Sequence, residues 1–262
     1  MTNTSGGGQI RVGVIGAEGR MGSEVCRAVE AAEGLRLVAR FSRGDDLGDL
    51  GGADVVVEFS VPEASAANVA HCVARGVHVV VGTTGWDEQK LEDLRRQLAD
   101  APPSSTGAPV GVLIAPNFAI GAILMMAFAA RAARFYESVE IIELHHPDKV
   151  DAPSGTAART AQLIGAARDA SDAGPVPDAT THDPEGARGA RVSGIPVHSV
   201  RLRGLVAHQE VLFGNVGEML TIRHDSFDRA SFMPGVIEGV RRVADHPGLT
   251  VGLEHYLGLA EP

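Results

Sequence analysis

The chain has 262 residues, 44% hydrophobic and 21% charged, proportions that exclude wholesale disorder and suit one large domain or two small ones. Lys and Arg number 23 against 33 Asp and Glu, a formal net charge of −10. A balance this acidic gives no general attraction to phosphate backbones or anionic lipid, so neither nucleic acid nor a membrane is an expected partner, although a local basic pocket for a small anion stays compatible with it.

The opening residues, Met1 to Gln9, are polar and Gly-rich. They lack the positive and apolar regions of a secretory leader, and a cytoplasmic location is expected. Up to residue 115 strand and helix signals alternate. Strands are predicted at 10–15, 35–41, 55–59, 77–81 and 110–114, and helices at 21–32, 63–75 and 87–99. Cys26 and Cys72 fall in two of these helices and read as small buried residues, which leaves no disulfide framework and no multi-cysteine zinc site. Alternation with nearly all-apolar strands predicts a parallel sheet covered on both faces. The uncharged run from 112 to 130 mimics a membrane span, but Pro116-Asn117 breaks it, and the unbroken remainder, 118–130, is too short to cross ~30 Å of hydrocarbon.

Beyond residue 115 the plan changes. A long apolar helix is predicted at 118–135, a strand at 139–144, an ionisable loop, and a helix at 155–167. A Pro/Asp/Gly-rich loop at 170–190 is followed by strand-like runs near 197–205, 207–213 and 219–225, then a closing helix at 231–243. Strands joined without helices predict an antiparallel or mixed sheet. The fold class is therefore α/β followed by a smaller α+β domain, with a ligand cleft expected between the two.

The first strand runs into Gly16-Ala17-Glu18-Gly19-Arg20-Met21-Gly22 and then a helix. Glycines in this first strand-to-helix turn permit a tight turn and close backbone approach to a pyrophosphate, which the helix N-terminus attracts. Dinucleotide binding is the expectation, although the spacing departs from the usual G-x-G-x-x-G. At the end of the second strand stand Ser42 and Arg43, where an NAD site usually carries an acid. A guanidinium there suits a 2′-phosphate, so NADPH is expected over NADH. The alternative is that Asp45 or Asp46 reaches back. Gly82-Thr83-Thr84-Gly85 and Ala115-Pro116-Asn117-Phe118 follow two further strands, where ribose and nicotinamide contacts are expected.

The segment from Glu143 to Ala157 gathers His145, His146, Lys149, Asp148 and Asp151 ahead of Pro153-Ser154-Gly155-Thr156. Histidine offers proton transfer near neutral pH, and Lys149 a fixed cation. Ser154 reads as a helix N-cap, with N–H groups behind it for a carboxylate-bearing substrate. Structural histidines are the bland alternative. Half of a metal site is another, but no third ligand stands at ligand spacing, so no metal is expected.

His145-His146-Pro147-Asp148-Lys149-Val150-Asp151-Ala152-Pro153-Ser154-Gly155-Thr156-Ala157 closely resembles the signature of the 4-hydroxy-tetrahydrodipicolinate reductase (dihydrodipicolinate reductase) family of the lysine and diaminopimelate pathway. The three glycine- and asparagine-containing loops match that family's cofactor loops in order, and the resemblance extends to Pro234-Gly235-Val236. It implies a Rossmann-type dinucleotide-binding domain at 1–118 and 228–262. It also implies a substrate-binding and tetramerisation domain at 119–227 with a mixed open sheet, acting on a small dicarboxylate as a homotetramer. His145 would then be the general acid/base and Lys149 a second proton donor or charge stabiliser. His146, Gly155 and Thr156 would contact substrate. Gly16 to Met21, Ser42, Arg43, Gly82 to Thr84, Ala115 to Phe118 and Arg229 would contact NADPH or NADH. Asp148 stands where related sequences often have His, and Ser42 where many have an acid. The competing readings are a Rossmann dehydrogenase of another small carboxylate and a dinucleotide-binding redox sensor. A cysteine-dependent dehydrogenase is disfavoured because both cysteines lie in apolar helix contexts.

Overall fold

Short runs of valine set the centre of the first unit. In β3 (Val55–Glu58), β4 (His78–Val81) and β5 (Gly111–Ile114) every residue is buried, as the middle strands of a doubly covered sheet must be. With β1 (Ile10–Ile15), β2 (Leu35–Phe41) and β11 (Gly248–Val251) they form one parallel sheet in the order β11-β5-β4-β3-β1-β2. The chain leaves β1 toward β2 and returns to β3 on the other side. The switch point therefore lies between β1 and β3, and ligands of open parallel sheets bind outside the carboxyl ends of the strands at such a point. The computed structural model describes residues 8–259, so most of the segment behind the expectation of no leader, residues 1–7, lies outside the described residues.

The helices start where local chemistry lets them. α2 (Pro62–Val73) opens on a proline, whose fixed φ suits the first turn. α3 (Glu88–Ala99) is capped by Asp87, which accepts a hydrogen bond from the Lys90 N–H. α1 (Arg20–Ala31) has Gly19 at its N-cap and no side-chain cap there. α6 (Met233–Arg242) buries Val236 and Val240 along one side. β11 has no counterpart among the predicted strands, because it is a half-buried edge strand with no apolar run to mark it.

In the second unit α4 (Ile120–Ala132) and α5 (Gly155–Asp169) share a core with a five-stranded sheet through Met125, Ala129, Ala161 and Ile164. The strands are β6 (Ser138–His145), β7 (Ala190–Val192), β8 (Ile195–Arg201), β9 (Ala207–Asn215) and β10 (Glu218–Ser226). Their order is β10-β9-β6-β8-β7, with β6 parallel to β8 and the other neighbours antiparallel, a mixed sheet. Along β6 the two-residue period makes Val139, Ile141 and Glu143 the buried row. The uncharged run divides between β5 and α4, and no described helix is long and apolar enough to cross a membrane.

The first unit runs to Phe118 and resumes at Phe232, and the second covers Ala119–Ser231. The return comes a few residues after 228. Residues 228–231 stay with the end of β10, because Ser231 and Ala230 N–H bond to Asp228 and the Ser231 hydroxyl lies 2.6 Å from that of Ser226.

Arg168 ties the end of α5 to its surroundings. Its buried guanidinium donates to the carbonyls of Ala133, Tyr136, Glu137, Ala173 and Gly174 at 2.6–3.4 Å. Arg168→Met keeps the volume and strands those acceptors, so unfolding in urea is expected to show a loss on the order of 3 kcal/mol.

Candidate active site

The glycine loop closes on itself through backbone approaches that only glycine permits. Gly16 has φ +84°, and a Cβ there would collide with the Phe59 carbonyl; a Cβ on Gly22 would collide with the Gly16 carbonyl. Gly16, Glu18, Gly19, Ser42 and Arg43 line one cavity of about 430 Å³ at the carboxyl ends of β1 and β2. Ala17 is buried, while Arg20 and Met21 stand in the first turn of α1. The guanidinium at the end of β2 does have an acidic neighbour: Asp45 lines the same cavity and accepts a hydrogen bond from Ser42 N–H at 2.7 Å. The expectation of a ribose pocket without an acid in place is thus corrected. A tight turn, Asp45 N–H to Ser42 O, brings the carboxylate back.

Phe59, absent from the expected site residues, organises the neighbouring loops. Its ring fills the space a Gly82 side chain would need and lies 5.8 Å from the ring of Phe118. Thr83 is buried with a hydroxyl that has no partner among the described residues, Thr84 is exposed, Ala115 and Phe118 are buried, and Pro116 and Asn117 lie on the loop. Beneath the cavity Glu58 is fully buried. It accepts from Ser65 Oγ at 2.7 Å, Ser60 N–H at 3.1 Å and Asn68 Nδ2 at 3.3 Å, and also from the Ser60 hydroxyl. Ser60 and Asn68 line the cavity. An orphaned hydroxyl and a glycine cradle beside a helix start without a side-chain cap fit a dinucleotide.

In the second unit the ionisable residues gather around a carboxylate with no exposure, Glu143. Strand parity explains the pairing: His145 stands two residues on along β6, and its Nδ1 lies 2.5 Å from Glu143 Oε2. In the parallel register of β8, Arg201 sits opposite His145 and grips Glu143 with both Nη atoms at 2.8 Å. Ser154 N–H donates to Oε1 at 3.1 Å. Burial pushes the Glu143 carboxyl up, but Arg201, Ser199 and His145 outweigh it and hold it down at about 2. Burial pushes His145 below its usual value; Glu143 opposes this, and Lys149 and Arg201 reinforce it.

The start of α5 differs from its expected form. Ser154 is the N-cap, accepting from Ala157 N–H at 3.2 Å, but Ser154 N–H is taken by Glu143 and Gly155 N–H by Asp151 at 3.3 Å. Asp151 also pairs with Lys149 at 2.7 Å, and its carbonyl accepts from Arg201. A carboxylate of the chain itself thus sits where an anionic ligand is expected. His145 and Lys149 are mostly enclosed, with 13% and 23% of their side chains exposed, whereas His146 and Asp148 are exposed. Arg229 lies exposed in a 3-10 turn, Arg229–Phe232, of which residues 229–231 belong to the second unit. Glu143, Arg201 and Asp151 had no expected role. The i,i+2 spacing of Glu143 and His145 on one strand was the available signal for the first; Arg201 required the strand register.

Family models described as dihydrodipicolinate reductase N-terminus and C-terminus match residues 10–118 and 121–257. The chain is 59% identical over 253 residues to a protein of Streptomyces griseus named 4-hydroxy-tetrahydrodipicolinate reductase, covering 96% of this chain and 99% of the relative. A Cutibacterium acnes protein of the same name is 60% identical over 250 residues, covering 95% and 99%. Among solved structures, a dipicolinate-bound dihydrodipicolinate reductase from Paenisporosarcina sp. TG-14 superposes with a TM-score of 0.82 at 37% identity, covering 94% of this chain and 99% of that one. The chain belongs to the dihydrodipicolinate reductase family.

Two outcomes are expected from this geometry. Gly22→Ala, by pushing the Gly16 turn aside, should weaken nicotinamide dinucleotide binding in calorimetry at least tenfold while melting stays cooperative. Glu143 ionises far more readily folded than at the ordinary glutamate value of 4.5, so its contribution is complete above that value and is lost as pH falls toward about 2. Melting temperatures followed over that window should drop, and drop less steeply in Glu143→Gln.

Proposed function

We propose that this member of the dihydrodipicolinate reductase family reduces (2S,4S)-4-hydroxy-2,3,4,5-tetrahydrodipicolinate to (S)-2,3,4,5-tetrahydrodipicolinate with loss of water, in diaminopimelate and L-lysine biosynthesis. The observation that carries the reading is the enclosed pair His145 and Lys149 beside the start of α5, the first held by the buried Glu143 carboxylate and the second by Asp151. The first unit is the dinucleotide-binding domain, and the second binds substrate. A bound nicotinamide dinucleotide supplies hydride to C4 of the ring once water has left that carbon. Electron density then moves toward the ring nitrogen and its neighbouring carbons, and His145 delivers the proton this requires. Lys149 stabilises the developing charge or provides a second proton. One substrate carboxylate replaces Asp151 at Gly155 N–H and Lys149, with Thr156 and His146 completing its contacts. Two substrate carboxylates arriving near His145 favour its cation, against the downward push of burial.

Gly16 to Met21, Ser42, Arg43, Gly82 to Thr84, Ala115 to Phe118 and Arg229 form the cofactor contacts in this reading. The rim of the ribose end carries both Arg43 and Asp45, which suits NADPH through the cation and NADH through the carboxylate. The chain works in the cytoplasm as a homotetramer assembled on the mixed sheet. Support for that surface comes from edge strand β10, where Met219 is 72% exposed.

Loss of 340 nm absorbance from NADPH or NADH, mixed with the condensation product of pyruvate and aspartate semialdehyde, tests the activity; a sensor would bind and leave the absorbance unchanged. His145→Ala and Lys149→Ala are expected to lower kcat by roughly 10²- to 10⁴-fold with little change in dinucleotide affinity. Arg43→Ala should raise KM for NADPH and spare NADH, and Asp45→Ala the reverse; an unchanged ratio of the two would remove the cofactor reading.

A further inference from the structure

The buried row of β6 reads Val139, Ile141, Glu143. A third aliphatic residue would continue the core without desolvating a charge, and a buried ion pair is often no more stabilising than apolar packing of the same volume. The reason for an acid there lies in what it holds. Both oxygens are occupied: Oε2 faces His145 Nδ1 at 2.5 Å and Arg201 Nη1 at 2.8 Å, and Oε1 faces Arg201 Nη2 at 2.8 Å and Ser154 N–H at 3.1 Å. An ionised carboxylate only accepts, so the proton between it and the ring sits on Nδ1, and the other ring nitrogen, Nε2, is left to face outward chemistry. Arg201 then continues the chain of contacts. It donates to the Asp151 carbonyl at 2.7 Å, and the carboxylate of Asp151 pairs with Lys149 at 2.7 Å.

We propose that Glu143 is a positioning residue for the reaction: it locks the His145 ring so that Nε2 is the proton-donating atom, and through Arg201 it anchors the loop that carries Lys149. This rests on the reading of His145 as proton donor. The charged groups facing the ring are Glu143 from its own strand, Arg201 from β8 and Lys149 from the loop; β9 places Ala207 opposite it, and the start of α5 contributes no charge beside it. Glu143 is the anion in contact with the ring, and the Asp151 carboxylate lies one contact further out, on Lys149. Removing it leaves two cations beside the ring, and the imidazolium becomes harder to form.

The test uses the full-length chain, with steady-state kinetics across the neutral pH range and a ¹⁵N NMR titration of His145. Glu143→Gln is expected to lower kcat about 10²-fold, leave NADPH affinity unchanged, and move the alkaline limb of the kcat/KM profile to lower pH. The ¹⁵N spectrum should show mixed His145 tautomers and a lower titration midpoint. Glu143→Asp keeps the anion for Arg201 but draws it back from Nδ1, so it should restore the limb part of the way. A Gln variant whose kcat falls equally at every pH, with the limb and the tautomer in place, overturns the proposal and leaves Glu143 a structural residue. If the Gln variant does not fold, the Asp variant decides: lowered turnover with an altered His145 tautomer supports the proposal, and wild-type turnover overturns it. His145→Gln separates the two levels. Should that variant keep wild-type turnover, the proton-donor reading itself falls; should it be inactive while Glu143→Gln behaves as wild type, only the positioning role falls.

Discussion

The bidentate grip of Arg201 on the fully buried Glu143 carboxylate is the interaction on which the arrangement of the second unit's ionisable residues depends. A lone buried carboxylate would be strongly disfavoured and would take up a proton. With a guanidinium on both oxygens and a backbone N–H beside them it stays ionised, and an ionised acid is what the imidazole and the start of α5 need as a common acceptor. Three separate stretches of chain, β6, β8 and the turn into α5, converge on this one group. The strand register brings Arg201 opposite His145, and the two-residue period of β6 brings Glu143 onto the same side as His145. Packing and electrostatics thus specify one geometry together.

The first unit works by a different principle. Its cavity takes its shape from glycines that leave no room for a side chain. Gly16, Gly22 and Gly82 are required because a Cβ at any of them would meet a carbonyl or the ring of Phe59. Phe59 and the Glu58 cluster support those loops from below, one by filling space and the other by fixing Ser60 and Asn68 with hydrogen bonds. A cavity built this way discriminates by shape and by the few charges on its rim. Arg43 and Asp45 are the cation and the anion that line it at the end of β2.

Asp151 satisfies both a cation and a helix start with one carboxylate. Its carboxylate bridges Lys149 and Gly155 N–H, and its own carbonyl is held by Arg201. The backbone is therefore anchored while the side chain stays half exposed to solvent. Keeping a cation and a helix N-terminus satisfied in this way avoids the cost of leaving them facing each other unpaired.

Much of this was legible from residues alone. Apolar runs marked β1 to β5, glycine spacing marked the first loop, and the long signature from His145 to Ala157 marked the family. These are local properties: a valine run is buried wherever it lands, and a glycine triplet turns the chain whatever surrounds it. The edge strand β11 was not legible, because a half-buried strand of Gly248, Leu249, Thr250 and Val251 carries no periodic signal. Nor were the partners of the site. That Arg201 meets Glu143 across more than fifty residues, and that Asp151 occupies the start of α5, depend on strand register and loop closure, whereas the return of Asp45 onto Ser42 was one of the two readings the sequence offered. Those are decided by which surfaces pack together, and no spacing along the chain encodes them.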